Sequence, residues 1–262
     1  MTRGLAHGVP VPAEFAGKVA VVTGGSRGIG RAIATGFAAA GADVVIASRK
    51  LDRCAALATE LEQTYGVRCL PVAYHAAKWE DSERLADQVL ERFGRCDVLV
   101  NNAGMSPFHE GITTISEDYY DKVLGVNLKG PFRLSVRLGA HIAEQGGGAI
   151  INISTIGSLR PAAHEIVYGM AKAGLNALTV ALSGELAPKV RVNAILPGAV
   201  DTDIAAVWPS EMREAAIKLA PMGRFGVPDD FVGPALWLAS ERSAYVTGTL
   251  IRVDGGAYRQ MS

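Results

Sequence analysis

The fold is decided by residues 19–34, which read VAVVTGGSRGIGRAIA. The segment opens on four apolar residues, which is typical of a strand covered on both faces of a sheet. The glycines that follow let the backbone turn tightly, approach a pyrophosphate and pack against the next helix, whose first N–H groups favour an anion. The segment therefore predicts a strand, a phosphate-binding turn and a helix. The residues of this turn that we predict to bind a dinucleotide are Gly24, Ser26, Arg27, Gly28, Ile29 and Gly30.

Short apolar runs alternate with helical patterns along the rest of the chain. In residues 82–94, Leu85, Val89 and Phe93 recur at helical spacing, and Gly94 is placed to end the helix. Strands that alternate with helices predict right-handed crossovers and a parallel sheet with helices on both faces. No linker-like change of composition divides the chain, so the pattern predicts one α/β domain. The expected strands are residues 19–25, 43–48, 67–74, 97–104, 149–155, 190–196 and 249–256.

Composition narrows the classes of partner. The 262 residues carry 26 Lys and Arg against 26 Asp and Glu, a balance that disfavours a nucleic acid or an anionic membrane surface. Cys54, Cys69 and Cys96 are widely spaced, so we expect neither a disulfide framework nor a metal site. We find no apolar run of the roughly 20 residues that a membrane helix needs, and no secretory signal. These features predict a cytoplasmic protein with a flexible N-terminal arm over residues 1–16 and one domain over 17–262.

The end of the second expected strand indicates which dinucleotide binds. A carboxylate there would bond the ribose hydroxyls and favour NAD. The chain instead has Ser48, Arg49 and Lys50, and Arg27 lies within the glycine turn. An arginine fork matches the 2′-phosphate of NADP, although surface cations are common and need no ligand. We therefore predict NADP(H) as the cofactor, with NAD disfavoured.

A tyrosine and a lysine four residues apart form the candidate catalytic pair. Residues 168–172 read YGMAK, and on a helix this spacing puts Tyr168 and Lys172 on one face. A phenol ionises near pH 10, which is too high for a base at neutral pH. A nearby ammonium lowers that pKa and makes the hydroxyl a usable general acid and base. The pattern predicts proton transfer by Tyr168, although the same spacing arises by chance in many helices.

Four motifs together resemble those of short-chain dehydrogenases/reductases. TGGSRGIG (23–30), NNAG (101–104), YGMAK (168–172) and LPGAVDT (196–202) occur in the order and at the spacing of that family. The likeness covers residues 17–257, nearly the whole chain. It implies a single Rossmann-type domain, in which a doubly wound sheet of about seven parallel strands is flanked by helices. It implies no metal ion.

The resemblance also implies roles for individual residues. Tyr168 would donate the proton in reduction, and Lys172 would lower its pKa and bind the ribose. Asn127 matches the family position that holds a proton-relay water. The family's catalytic serine precedes the tyrosine at a spacing that favours Thr155, with its neighbour Ser154 as the alternative. The other residues that the resemblance places at the cofactor are Asn102, Ala103, Gly104, Pro197, Gly198, Val200 and Thr202.

We therefore expect hydride transfer between NADP(H) and a small, apolar or neutral carbonyl compound or secondary alcohol. Residues 203–226 carry Trp208, Met212 and Met222 at helical spacing and predict a substrate lid, although core or subunit packing explains them equally well. The alternatives are a 3-oxoacyl thioester reductase of fatty-acid type and a cofactor-binding sensor that has lost catalysis. The resemblance further implies a homotetramer.

Three histidines have no assigned role. The family commonly has an aspartate near the adenine where this chain has His75, so we expect His75 beside the adenine or on the surface. His109 and His164 lie in loops that are candidates for the substrate side of the site. None of the three is predicted to be a catalytic base.

Overall fold

Seven strands form a single sheet in the computed structural model, which describes residues 14–107, 109–203, 205 and 208–259. All pairs of neighbouring strands are parallel. The strands are β1 (Val19–Thr23), β2 (Asp43–Ser48), β3 (Cys69–Ala73), β4 (Val98–Asn101), β5 (Gly148–Ile153), β6 (Val190–Pro197) and β7 (Leu250–Val253). They lie in the order β3-β2-β1-β4-β5-β6-β7. The expected α/β class and the seven-stranded parallel sheet are confirmed.

The strand order places a crevice at one edge of the sheet. The chain moves outward from β1 to β3 and then returns to β4 on the other side of β1. At such a switch point the connections leave in opposite directions, so ligands of doubly wound folds bind at the carboxyl ends of the two strands. The glycine turn after β1 and the NNAG segment after β4 therefore meet there.

Eight α-helices within the described residues cover the two faces of the sheet. They are α1 (Gly28–Ala39), α2 (Leu51–Tyr65), α3 (Trp79–Phe93), α4 (Glu117–Leu124), α5 (Gly130–Glu144), α6 (Ile166–Glu185), α7 (Ser210–Leu219) and α8 (Val232–Ala239). The expected end of α3 at Gly94 is confirmed, because this glycine takes a left-handed φ of 71° and donates its N–H to the Leu90 carbonyl. A π-helix, Gly125–Lys129, joins α4 to α5 and was not predicted.

Each face of the sheet has its own apolar core. Val22 of β1 belongs to a buried cluster with Ile33 of α1, and residues of α2 and α8 complete that cluster. Its neighbour Val21 belongs to a cluster on the other face, with Leu85 of α3 and Leu134 of α5. Burial on both faces explains why the strands read as continuous apolar runs rather than as alternating ones.

Helix α6 is the most apolar of the long helices and corrects one expectation. The helical segment Ala163–Glu185 is long enough to cross a membrane and contains an 18-residue window of mean hydropathy 1.2, judged by length and composition alone. The expectation that no run reaches this length is therefore wrong. In the fold, α6 buries Val167, Ala171 and Leu175 and packs against β6, so core packing explains its apolar character.

Candidate active site

A cavity of about 1090 Å³ opens at the carboxyl ends of β1 and β4 and reaches the start of α6 and the inner face of α7. Its volume lies at the upper end of the range for ligand pockets. Every sequence-predicted site residue lines it except Gly30 and Asn127. The predicted residues that line it are Gly24, Ser26, Arg27, Gly28, Ile29, Ser48, Arg49, Lys50, Asn102, Ala103, Gly104, Ser154, Thr155, Tyr168, Lys172, Pro197, Gly198, Val200 and Thr202.

The glycine turn leaves its backbone open to a phosphate. Gly24 and Gly28 have φ angles of 63° and 52°, in the left-handed region that favours glycine. A Cβ on Gly24 would lie 2.8 Å from the amide nitrogen of Asn102, so no larger residue fits. No side chain caps the start of α1, whose first N–H groups are thus available to an anion. This turn fits the pyrophosphate of a dinucleotide.

Gly30 does not line the cavity, and its contacts assign it to packing. A Cβ there would overlap both the Asn102 side chain and the Gly24 carbonyl. Asn102 in turn donates its amide N–H groups to the carbonyls of Thr23 at 2.9 Å and Gly24 at 3.2 Å. Thr23 Oγ1 also accepts the backbone N–H groups of Asn102 and Ala103. The NNAG segment therefore holds the glycine turn in place through these hydrogen bonds.

The first asparagine of NNAG is part of a buried network. Asn101 donates to Ser135 Oγ at 2.8 Å and to Asn152 Oδ1 at 2.9 Å. Asn152 then donates to Thr179 Oγ1 at 2.9 Å. The network joins β4 and β5 to α5 and α6, so this part of the motif has a structural role.

Three cations line the cavity just beyond β2. Arg49, Lys50 and Arg53 are exposed, and none of them forms a salt bridge within the described ranges. Arg27 also lines the cavity and pairs with Asp203 at 3.1 Å, where both side chains are exposed and the pair is correspondingly weak. Arg53 was not predicted, because only the start of α2 brings it beside the strand end.

Ser48 stands where a carboxylate would select NAD. Its Oγ lies 2.9 Å from Ser26 Oγ and 3.0 Å from Cys54 Sγ. All three cysteines are buried and free. Burial raises the pKa of the Cys54 thiol, so the Cys54 side chain itself adds no negative charge beside the end of β2.

Tyr168 and Thr155 place two hydroxyls at one point of the cavity wall. The Thr155 hydroxyl lies close enough to the Tyr168 hydroxyl to lower the pKa of Tyr168. Thr155 Oγ1 also accepts the Gly157 N–H at 3.2 Å. Two converging hydroxyls can both bond the oxygen of one carbonyl group and stabilise negative charge that develops on it.

Ser154 is directed away from this point. Its Oγ makes long contacts, both 3.4 Å, to Ser158 Oγ and to the Lys172 carbonyl, and the residue is buried. Ser158 is held further by Asn176, which donates to its Oγ at 2.7 Å. The geometry therefore favours Thr155 of the two alternatives, because successive residues at a strand end point to opposite sides.

Burial dominates the electrostatics of the tyrosine–lysine pair. Burial raises the pKa of Tyr168, the charge of Glu165 raises it further, and the nearby Thr155 hydroxyl lowers it. Burial also lowers the pKa of Lys172 to about 7. Lys172 Nζ donates to the Ile153 carbonyl at 2.7 Å and lies 6.0 Å from the centre of the Tyr168 ring. The expected lowering of the Tyr168 pKa by Lys172 is not met, because desolvation is the larger effect.

Asn127 lies within the π-helix, fully buried behind the cavity wall. Its Nδ2 donates to the carbonyls of Met105 and Val123, both at 2.9 Å, and its Oδ1 accepts the Met105 N–H at 3.2 Å. Asn127 Oδ1 and Lys172 Nζ lie 3.2 and 3.7 Å from the place where a Cβ on Gly104 would stand. Asn127 therefore holds the backbone beside Lys172, and its part in a proton relay stays a prediction.

Beyond Tyr168 the cavity wall mixes polar and apolar side chains from segments that carry no motif. Arg160 and Glu165 precede α6, and Tyr258 and Arg259 come from the end of the described chain. None of these four was predicted, because they lie in loops that only the fold brings together. His164, a sequence candidate, also lines this wall.

The other two histidines differ in position. His75 lines the cavity, and its backbone N–H donates to Asp81 Oδ2 at 2.8 Å. The buried ring nitrogen Nδ1 has no hydrogen-bond partner among the described residues. Its expected place beside the adenine stays a prediction. His109 does not line the cavity and packs its ring edge-on against Tyr119, with centroids 6.2 Å apart.

The predicted lid contributes one wall of the cavity through Trp208, Ala216 and Leu219. Met212 and Met222 do not line it, so two of the three large residues that suggested a lid are placed elsewhere. Closure of this segment stays a prediction. The lid residues outside the described part of the chain are Ile204, Ala206 and Val207.

Fold and site together define a class of protein, that of the nicotinamide-dependent oxidoreductases with a tyrosine–lysine pair. A family model described as Enoyl-(Acyl carrier protein) reductase matches residues 24–258. The chain belongs to the short-chain dehydrogenase/reductase family.

Relatives within that family act on different substrates. The L-rhamnose 1-dehydrogenase (NAD(P)(+)) of Azotobacter vinelandii is 40% identical over 92% of this chain and 96% of its own. The 3-oxoacyl-(acyl-carrier-protein) reductase of Aquifex aeolicus is 36% identical over 94% and 99%. Among solved structures, the L-sorbose reductase of Gluconobacter frateurii, complexed with NADPH and L-sorbose, has a TM-score of 0.89 and 33% identity, covering 95% of this chain and 99% of that one. These three proteins belong to one family, but the substrates in their names differ.

Proposed function

We propose that the chain is an NADP(H)-dependent oxidoreductase that interconverts a small carbonyl compound and a secondary alcohol. The observation that carries this proposal is the convergence of the Tyr168 and Thr155 hydroxyls in a cavity continuous with the glycine turn. The nicotinamide dinucleotide supplies or accepts the hydride when it is bound.

The side chains act on the oxygen of the substrate. Thr155 and Tyr168 donate hydrogen bonds to the carbonyl oxygen, and Tyr168 gives up its proton as negative charge builds there. In the oxidative direction Tyr168 accepts that proton. Lys172, with its pKa lowered to about 7, exchanges a proton near neutral pH and would bind the ribose. Asn127 would hold the relay water that its family position implies.

NADP(H) is favoured over NAD by the charges around the end of β2. Arg49, Lys50 and Arg53 are exposed cations without salt bridges among the described residues, and Ser48 replaces the carboxylate that would bind a ribose hydroxyl. A 2′-phosphate would neutralise these charges. The further residues that would hold the dinucleotide are Gly24, Ser26, Arg27, Gly28, Ile29, Asn102, Ala103, Gly104, Pro197, Gly198, Val200 and Thr202.

The test is to follow NADPH and NADH consumption by the purified protein against ketones, aldehydes, diketones and 3-oxoacyl thioesters. We expect turnover with NADPH preferred. Tight NADPH binding without turnover on any of these compounds would instead support the sensor alternative. Preference for NADH would overturn the proposal that Arg49, Lys50 and Arg53 bind the 2′-phosphate.

A 3-oxoacyl thioester reductase is the second candidate. Its support is the Aquifex aeolicus relative and the presence of Arg160 and Arg259, two exposed cations on the cavity wall that suit the phosphate of a carrier arm. Acetoacetyl-N-acetylcysteamine in the same assay distinguishes the two candidates. A much higher kcat/KM on this thioester than on any simple ketone would favour the second.

We also propose a cytoplasmic homotetramer in which residues 203–226 close over the substrate. Large apolar side chains on α5 and α6 are exposed in the single chain, among them Phe132 at 42%, Met170 at 49% and Val180 at 53%. Light scattering coupled to gel filtration tests the assembly, and a monomeric mass would overturn it.

A further inference from the structure

Glu165 is an acidic side chain within the substrate part of the cavity. It immediately precedes α6, lines the cavity and is half-buried. No hydrogen bond or salt bridge to its carboxylate is formed within the described ranges, and no backbone N–H of α6 is capped by it. Burial raises the pKa of Glu165, and the charge of His164 acts in the opposite direction. A carboxylate taken partly out of water without a donor is costly, which leaves its presence here unexplained by the fold.

The carboxylate lies beside the groups that would hold the carbonyl oxygen. A Cβ on Gly157 would stand 3.2 Å from Glu165 Oε2 and 3.5 Å from Thr155 Oγ1. The two oxygens therefore flank one point of the wall. The charge of Glu165 also raises the pKa of Tyr168, so both proposed hydrogen-bonding partners of the substrate are within reach of its influence.

The atoms of a substrate that could meet Glu165 are those next to its reacting carbon. A simple ketone or a 3-oxoacyl thioester has only C–H groups there and would leave the carboxylate desolvated and unpaired. A cationic substrate is disfavoured, because Arg160 and Arg259 lie on the same wall. A neutral molecule that carries hydroxyl groups can donate to Glu165 and has no positive charge for the arginines to repel.

We propose that Glu165 accepts a hydrogen bond from a hydroxyl on the carbon adjacent to the reacting carbonyl, and that the substrate is a hydroxy ketone, or a vicinal diol in the oxidative direction. Glu165 thereby determines specificity and takes no part in hydride or proton transfer. The inference rests on the proposed function and narrows the apolar or neutral substrate expected from the sequence to a neutral one that carries a hydroxyl group.

The experiment compares two ketones with the same carbon skeleton, 1-hydroxy-2-butanone and 2-butanone, in the NADPH assay. The variants are Glu165→Gln and Glu165→Ala, with Glu185→Gln as the control, because Glu185 is exposed at the far end of the same helix. A hydrogen bond to a charged group accounts for a factor of roughly 10 to 100. We expect KM for the hydroxy ketone to rise by about that factor in Glu165→Ala and by less in Glu165→Gln. KM for 2-butanone should be nearly unchanged, and so should both values in the control.

The ratio between the two ketones separates recognition from a structural effect. Glu165 also influences Tyr168, and loss of its charge would change kcat and the pH profile for both ketones equally. If the substitutions raise KM for both ketones alike, the inference is overturned while the proposed oxidoreductase stands.

Binding keeps the inference testable if neither ketone is reduced. Saturation-transfer NMR would measure 1,2-butanediol binding to the wild-type protein and to Glu165→Ala. Binding that is lost in the variant supports the inference even where the proposed reaction fails. Equal binding to both proteins, or none to either, overturns it.

Discussion

The two halves of the cavity are built in different ways. The cofactor half is made mainly of backbone: a glycine turn, an uncapped helix start and the Asn102 side chain that braces them. The substrate half is made of side chains from loops, such as Glu165, Trp208 and Arg259. A site built from the backbone restricts the residues that can form it, whereas the side chains of a loop wall can be exchanged without changing the fold. The difference explains how relatives with sugar and acyl substrates share one fold.

Loss of the Tyr168 hydroxyl should separate chemistry from cofactor binding most clearly. We expect Tyr168→Phe to lower kcat by about 10³-fold and to leave the Kd for NADPH within about 2-fold, because the ring still fills its place. Steady-state kinetics and fluorescence titration measure the two. Tyr245→Phe, at a fully exposed position, is the control. A wild-type kcat in Tyr168→Phe would exclude this residue as proton donor.

A methyl group in the cofactor half should disturb the fold as well as the site. We expect Gly30→Ala to lower the free energy of unfolding by about 3 kcal/mol, since its Cβ would overlap Asn102 and the Gly24 carbonyl. Gly184→Ala in α6, where no atom lies within 4 Å of the new Cβ, should raise it by about 0.5–1 kcal/mol. Urea denaturation compares them, and equal stabilities would contradict the packing role of Gly30.

Removal of one hydroxyl at the junction of the halves should distinguish the neighbours Thr155 and Ser154. We expect Thr155→Val to lower kcat by about 10²-fold, because a donor to the developing oxyanion is lost. Ser154→Ala should change kcat by less than about 3-fold, since its hydroxyl makes only long internal contacts. The reverse order would assign the role to Ser154.

The charges at the end of β2 should affect one cofactor and not the other. In the double variant Arg49→Ala/Arg53→Ala we expect KM for NADPH to rise about 10-fold to 50-fold, with KM for NADH unchanged. Arg92→Ala, exposed on α3 and outside the cavity, is the control. A parallel rise of both KM values would mean that these arginines do not read the 2′-phosphate.

The smallest expected effect is the pH dependence of stability that Lys172 contributes. Its pKa is about 7 in the fold and near 10.4 in an unfolded chain. Between these values the unfolded state binds more protons, so stability should rise with pH, by up to about 1 kcal/mol from pH 7 to pH 8. Urea denaturation of wild type and Lys172→Met measures the difference. Equal slopes would show that the Lys172 amine is not desolvated.

The sequence predicted the cofactor half more fully than the substrate half. The seven strands, the end of α3 and the glycine turn followed from apolar runs and glycine spacing, because these patterns report local backbone requirements, whereas the cofactor residues after β4 and β6 were predicted from the family resemblance. Arg53 and Glu165 carry no such signal, since each depends on where a helix start falls beside another segment. The shift of the Tyr168 pKa was predicted in the wrong direction. The spacing of Tyr168 and Lys172 in the sequence indicates that the two side chains are neighbours, but it does not indicate how deeply Tyr168 is buried.

By itself the sequence determined the family, the parallel sheet, the glycine turn and the tyrosine–lysine pair, since all of these are set by residues close together in the chain. Only the tertiary structure showed that the Ser154 hydroxyl points to internal partners, that Asn127 and Gly30 lie behind the cavity wall and that Glu165 lies beside Thr155. The physical reason is that hydrogen-bond geometry and desolvation depend on distances between segments remote in sequence, which a linear pattern does not contain.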